Sequence, residues 1–356
     1  MTENKVGDLI AGKRNDFGRL ALEVFEYQYS RAAAYRRLCD KRGVRPDTVN
    51  NWQDIPPLPT EAFKGDIGLP AAPAPAHVFL SSGTSSGGQR PSQVQLGSLE
   101  LYRLAALEWF GRMVLPDRPG PMSVLLLGPT AQTHPGSSLG HMFGWLAAAH
   151  GDGHAGRFFD DSGSLDLPAT LSWLGQKADD GGQVLVLALS SALTALFGAM
   201  REREIHHRLG ATSRVVDTGG RKGAAHVLSA KGILKAAWTH LHVPAYMNTN
   251  EYGMTEMASQ FYDDALLARH QGRLRPRAKL GPPWTRTRVV DPTTLEPVAD
   301  GEAGLLVHFD LANLETVSCL LSLDLGRKVG DGFELLGRAD GAEARGCSDL
   351  MAAIEA

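Results

Sequence analysis

Cysteine is scarce in this chain: Cys39, Cys319 and Cys347 are the three among 356 residues. An odd number with no C-x-x-C pair supplies neither a disulfide framework nor a structural zinc site, and a reducing, cytoplasmic setting is expected. Long apolar runs are missing too. The longest, Val184–Leu189, has six residues, and the first ten contain no apolar segment, so neither a signal peptide nor a membrane span is expected. No charge sign dominates, with 36 Lys+Arg against 39 Asp+Glu. A nucleic-acid footprint needs a surplus of cations on one face, and none is expected here. What the chain does have is glycine and proline, 40 and 20 residues spread along its length, and 43% hydrophobic residues. That composition suits many tight connections around a large core, in one large or two medium domains.

Periodicity orders the chain. Phe17, Leu20, Ala21, Val24 and Tyr27 recur at spacings of three and four and predict an N-terminal helix. Pro56, Pro57 and Pro59 predict an extended connector that joins neither helix nor sheet. Strand-like His77–Leu80 leads into a Ser/Gly/Thr cluster, after which Ser98 is placed to cap a helix bearing Leu101, Leu104, Ala105 and Trp109. Residues 123–127, 183–189 and Val215–Val216 read as buried strands separated by helices, the pattern of a parallel or mixed sheet covered on both faces. From Gly281 the texture changes to short alternating runs with turn signals, which predict a small antiparallel element.

Three local signals carry chemistry. Ser81-Ser82-Gly83-Thr84-Ser85-Ser86 and the following Gly-Gly-Gln-Arg90 bring glycine, hydroxyls and one cation together. Such a loop cradles a phosphate or is simply solvated, and it is not a Walker P-loop. Asn250-Glu-Tyr252-Gly253-Met-Thr255-Glu256 offers a ring for stacking, a hydroxyl, and a carboxylate suited to Mg²⁺. Asp324 and Arg338, the latter in Gly-Arg-Ala-Asp340, either hold a ribose and a phosphate or pair with each other at the surface.

The order and spacing of these signals over roughly residues 50–346 resemble the adenylate-forming superfamily of acyl-CoA ligases, luciferases and peptide-synthetase adenylation domains. Residues 55–64, the Ser-rich loop and residues 343–348 look most like its acyl-protein synthetase branch, the fatty-acid-activating subunit of bacterial bioluminescence reductases. The resemblance implies an α/β fold, the large N-terminal domain of such enzymes, with mixed sheets flanked by helices and a small β-rich subdomain. It implies ATP-phosphate contacts at Ser81–Ser86 with Arg90 nearby, adenine stacking by Tyr252, phosphate contact by Thr255, Mg²⁺ at Glu256, ribose at Asp324 and Arg338 beside it. It also implies a substrate pocket touching His134, Gly219, Gly220 and Gly253. Residues 1–338 are then an adenylating body, with 281–338 its β-rich end, and 339–356 a hinge remnant and tail.

Departures from that pattern are as informative. Relatives continue past the aspartate corresponding to Asp340 into a mobile C-terminal domain with a catalytic lysine, whereas this sequence has sixteen further residues. In that place stands Cys347, which matches the acylated cysteine of the branch and is expected on a free tail, with the Arg345 guanidinium favouring its thiolate. Cys39 and Cys319 lie in apolar settings and read as core residues. Four histidines, His134, His141, His150 and His154, have no recognisable ligand spacing and do not suggest a metal. Residues 266–288 hold seven Lys/Arg and no acid, either a solvated loop or a receiver for CoA phosphate or an acidic carrier.

The sequence and its resemblance therefore point to ATP- and Mg²⁺-dependent activation of a carboxylic acid, fatty or aryl. Transfer to Cys347 and on to a protein acceptor, a carrier protein or reductase subunit, would follow. Two alternatives stand beside it: acyl transfer from CoA through Cys347, and a non-catalytic nucleotide- or acyl-binding subunit.

Overall fold

The computed structural model describes residues 2–65, 75–81, 90–159, 164–219, 227–339 and 345–355. In chain order, α1 (Thr2–Ile10), α2 (Phe17–Arg31) and α3 (Ala33–Lys41) precede β1 (Leu58–Pro59), β2 (His77–Leu80), β3 (Gln93–Leu96) and α4 (Glu100–Val114). An alternating stretch follows: β4 (Met122–Leu127), α5 (Ser138–His150), β5 (Gly151–Gly156), α6 (Leu167–Asp179), β6 (Val184–Leu189), α7 (Ser190–Glu202), β7 (Arg214–Thr218), α8 (Ala230–Leu241) and β8 (Asn248–Tyr252). The remainder is β9 (Phe261–Asp263), α9 (Ala265–His270), β10 (Lys279–Leu280), β11 (Thr285–Val290), β12 (Ala303–Asp310), β13 (Cys319–Val329), β14 (Gly332–Arg338) and α10 (Arg345–Glu355). These elements form two compact units. One comprises residues 110–252 and 262–277, the other residues 1–109, 253–261 and 278–356.

The unit of residues 110–252 and 262–277 is a parallel sheet in the order β5-β4-β6-β7-β8. Its middle strands are the apolar runs of the sequence: every residue of β4 is buried, as are all of β6 except its last. Each fully buried Leu or Val contributes about 1.5–3 kcal/mol. Helices α6 and α8 start where short polar side chains satisfy a free N–H: Asp166 accepts from Ala169 N at 3.0 Å and Ser229 from Gly232 N at 3.1 Å. Strand β5 is absent from the sequence reading because Gly-Asp-Gly-His-Ala-Gly has no apolar pattern; it is an edge strand with only Gly156 buried.

The other unit contains the antiparallel run β11-β12-β13-β14-β10 and the hairpin β2-β3. Helix α2 buries Phe17, Leu20, Ala21, Val24 and Phe25, and also Gln28. That amide is fully paired: Nε2 donates to the carbonyls of Asn313 and Leu314 at 2.7 and 3.2 Å, and Oε1 accepts from Ser318 N and Oγ at 3.0 Å. One expectation is corrected. The proline-rich connector does join the sheet, as β1 pairs in parallel with β13 through Leu58–Leu320 and Pro59–Leu321. Leu58 retains its N–H between the prolines, so a two-residue edge pairing remains open where a longer strand would not.

The end of the chain is also ordered differently from expectation. Residues 345–355 form α10 rather than a free tail, with Cys347, Leu350 and Ile354 at 4%, 1% and 1% exposure. Spacings of three and four put these three on one stripe, which packs against α3 and β1. Arg37 of α3 donates from Nε to the Ile354 carbonyl at 3.4 Å. Gly346 admits the close approach: a Cβ there would stand 2.8 Å from Leu295 Cγ and 3.1 Å from the Pro292 carbonyl oxygen. The same carbonyl accepts the Gly346 N–H at 2.9 Å.

Candidate active site

In the β-rich unit, Cys347 and Arg338 meet at Glu61, a residue not singled out above, and Glu256 feels its charge. Glu61 sits in the 3₁₀ turn Thr60–Lys64 directly after β1. Its Oε2 accepts from Cys347 Sγ at 3.6 Å and from Thr60 Oγ1 at 3.3 Å. Its Oε1 is 3.5 Å from an Arg338 guanidinium nitrogen and is otherwise buried without a hydrogen bond. Arg338 ends β14 directly opposite Asp324 of β13 in the strand register. Asp324 is half-buried, and its N–H donates to Ser322 Oγ at 3.2 Å.

Glu256 belongs to the same neighbourhood. It is buried, and desolvation pushes its carboxyl above the ordinary range, as does the charge of Glu61; a Ser92 hydrogen bond and the charge of Arg338 oppose this. Its segment is pinned from several sides. Asn313 Nδ2 donates to the Glu256 carbonyl at 2.8 Å, and Asn313 Oδ1 accepts from Ala258 N at 2.7 Å. Asp310 accepts from Ser259 N and Oγ at 2.8 and 2.7 Å, and Trp284 Nε1 donates to Ser259 Oγ at 2.9 Å. Thr255 is half-buried one residue earlier, while Gly253 is exposed. A buried carboxylate close to a second acid and an arginine has the hard oxygen chemistry that suits Mg²⁺ shared with phosphates.

Cys347 is not a free nucleophile. Burial, then the charge of Glu61 and its hydrogen bond, push the thiol up to about 12, against partial relief from Lys64 and Arg338. Burial and the acid beside the sulfur thus work against the thiolate, while the Arg345 side chain expected to favour it lies outside the described residues. Cys39 and Cys319 are buried thiols in the core of the same unit, and desolvation raises both, Cys39 to about 12.

Of the Ser-rich loop, Ser82, Gly83, Thr84, Ser85 and Ser86 lie outside the described residues, as do Gly220 and Asp340. Ser81 closes the loop's base: its N–H donates to the Ser92 carbonyl at 2.9 Å and its Oγ accepts from Ser92 N at 2.8 Å. Arg90 is exposed.

In the parallel unit, Gly219 and Tyr252 fall at the carboxyl ends of β7 and β8, and His134 in the loop after β4. Strand β4 lies between β5 and β6, so the connections after β4 and after β6 run to opposite sides, the arrangement at whose strand carboxyl ends open α/β sheets commonly bind ligands. Gly219 has φ +101°, which a residue with a Cβ rarely adopts. His134 is exposed, with Nδ1 3.0 Å from Thr133 Oγ1; Tyr252 is buried. Beside them runs a polar network missing from the sequence reading. Asp217 Oδ2 accepts from Ser190 Oγ at 2.7 Å and from Asn250 Nδ2 at 2.9 Å, and Thr218 donates to Glu251. Its residues come from strands and a helix 27 and 33 positions apart, a separation that no local motif reports.

Several lesser candidates receive structural roles. Arg275 and Arg277 pair with Asp264 and Asp263 at 2.5 and 3.1 Å within their unit. Arg286 and Arg288, in the other, donate to the carbonyls of Pro283, Thr285 and Gln53. His150 stacks on Phe110 with ring centres 5.4 Å apart. Among the described residues no three His, Cys, Asp or Glu form a metal-binding group, and no helix is long and apolar enough to cross a membrane. A cleft of about 560 Å³ walled by Trp109, Phe261 and Phe333 is lined by none of the expected site residues.

A family model described as "Acyl-protein synthetase, LuxE" matches residues 12–354. Two curated relatives are each a "Long-chain-fatty-acid--luciferin-component ligase". That of Aliivibrio fischeri is 22% identical over 94% of this chain and 88% of its own length; that of Vibrio harveyi is 23% identical over 94% and 86%. Among solved structures, an open conformation of 2-hydroxyisobutyryl-CoA ligase in complex with 2-HIB-AMP and CoA superposes with a TM-score of 0.63 at 16% identity. It covers 93% of this chain and 71% of the ligase. The mixed α/β fold is thus that of adenylate-forming ligases.

Proposed function

The chain belongs to the acyl-protein synthetase (LuxE) family, and from that membership we propose that it activates a long-chain fatty acid with ATP and carries the acyl group on Cys347 to a reductase-type protein acceptor. The observation that carries this reading is the meeting of Cys347, Glu61 and Arg338 in one unit, with the charges of Glu61 and Arg338 acting on Glu256 as well. In this reading Glu256 holds Mg²⁺, which offsets charge on the phosphates when bound. Asp324 and Arg338 hold ribose and phosphate. Tyr252 stacks on adenine, Thr255 and the loop from Ser81 with Arg90 contact the phosphates, and His134, Gly219 and Gly253 border the acid.

Thioester formation splits one difficult acyl transfer into two easier ones, the usual gain from a covalent intermediate. Docking of α10 supports it, because the thiol is held against Glu61, the acid that also pairs with Arg338. Intact-mass spectrometry tests the proposal. Incubation with Mg·ATP and a long-chain fatty acid is expected to add one acyl group, lost in Cys347→Ser. An adduct that forms only from acyl-CoA and never from free acid with Mg·ATP overturns the ATP step; transfer to the acceptor undiminished in Cys347→Ser overturns the covalent one.

A further inference from the structure

We propose that Glu61 is the general base of thioester formation, taking the proton from Cys347 as its sulfur attacks the activated acyl group. The inference rests on the reading of Cys347 as acyl acceptor and deepens it. Three features of Glu61 carry it. Its Oε2 is the hydrogen-bond acceptor of Cys347 Sγ, at 3.6 Å, so a proton transfer path already exists. Arg338 stands 3.5 Å from the other oxygen, Oε1, and holds the carboxylate on the side of the thiol. That oxygen is buried and has no hydrogen bond, so among the described residues the Arg338 ion pair is what orients that side of the carboxylate.

A base is needed because the thiol does not ionise by itself. With burial and the neighbouring acid pushing it up to about 12, the thiolate fraction at pH 7 is about 10⁻⁵. An acid beside a nucleophilic thiol is unfavourable if the thiolate must form first. It is favourable if the proton leaves as the bond is made. In that step the Sγ–C bond forms and the bond from the acyl carbon to the adenylate phosphate oxygen breaks. AMP departs with that electron pair, the Sγ proton passes to Glu61 Oε2, and the neutral carboxyl returns it to water. The role also accounts for the position of Glu61: the proline-bounded strand β1 and the 3₁₀ turn after it fix the acid against the α10 stripe.

Two rates measured on the same enzyme with Mg·ATP and a long-chain fatty acid separate the possibilities: ATP–pyrophosphate exchange for adenylation, and growth of the Cys347 adduct by intact mass for loading. Glu61→Gln is expected to lower loading about 10²–10⁴-fold more than it lowers exchange. Its residual loading should climb close to tenfold per pH unit between about pH 7 and 9, as free thiolate takes over, while the wild-type profile stays shallower. Glu61→Asp should recover part of the loss. Parallel loss of exchange and loading in Glu61→Gln, with no change of pH profile, assigns Glu61 a structural or cation-holding part and overturns the proposal. So does loading by Glu61→Gln at the wild-type ratio to exchange. Wild-type enzyme that exchanges pyrophosphate yet never acylates Cys347 removes the acceptor reading itself, a result seen without any variant.

Discussion

Alkylation of Cys347 by iodoacetamide is expected to be at least about 50-fold slower than that of a free thiol at pH 8. The thiolate is the reacting species. A thiol raised from 9.0 to about 12 is ionised to about 10⁻⁴ instead of about 10⁻¹, a loss of about 10³. The more basic thiolate is intrinsically the better nucleophile, and a Brønsted slope of about 0.4–0.5 returns about 20-fold of that loss. Undocking of α10, which holds the sulfur at 4% exposure, only adds to the delay. Peptide mapping of a timed labelling course reads each cysteine separately. The Cys347 rate should still be rising in proportion to hydroxide at pH 10, where a free thiol has levelled off. Removing the neighbouring charge in Glu61→Gln relieves about 1 kcal/mol, taken as unit charges about 4 Å apart in water. Labelling should quicken about two- to threefold once the same correction is applied, the opposite sign to the effect on acyl loading. Labelling of Cys347 at the free-thiol rate, levelling off by about pH 10, refutes both the docked helix and the suppressing acid.

Gly346→Val should weaken the seat of α10 by about 1–3 kcal/mol, because its side chain meets Leu295 and the Pro292 carbonyl; faster alkylation of Cys347 by tenfold or more is the measurement, and an unchanged rate contradicts it. His308 supplies a pH signature. It is fully buried with its Nδ1 3.0 Å from Thr287 Oγ1, and burial depresses it to about 3 from 6.5. A depressed group stabilises above its unfolded value and loses that stability as pH falls, here by about 1.4 kcal/mol per unit below pH 6.5. Asp310, raised to about 6 by burial, works the other way: the folded chain gains stability as pH falls from about 6 to 3.8, so the two terms nearly cancel in the native protein. The stability difference between His308→Phe and wild type isolates the histidine. It should move by about 3 kcal/mol in favour of the variant from pH 6.5 to 4 in denaturant titrations, and a constant difference refutes the assignment.

Much of this could be read from the sequence because it is local. The runs ending at Leu127, Leu189 and Thr218 are strands because their apolar residues are contiguous, and the Phe17 stripe is a helix because its spacing is helical. Cys347, Glu256 and Arg338 were likewise visible as motif residues. What escaped depends on distance along the chain. Glu61 looks like one acid among 39 Asp and Glu until a thiol 286 positions later is brought to it. Asp217 acquires its role from Asn250, 33 positions on. Helix α10 failed for another reason: its three-residue apolar stripe is short, and only α3 and β1, from the other end of the chain, give that stripe something to cover.

The route of the chain through the β-rich unit bears on how the protein is made. Helix α3 and strand β1 emerge early, and the helix that covers them is completed at Glu355. At about 5–20 residues per second the ribosome needs about 12–50 s to travel the stretch from Trp109 to α10. During that interval residues 110–252 can fold as a continuous piece, while the surface of α3 and β1 that α10 covers has no such cover. Synthesis of this protein therefore includes a window in which that surface is uncovered, and which closes when the Cys347-bearing helix lands.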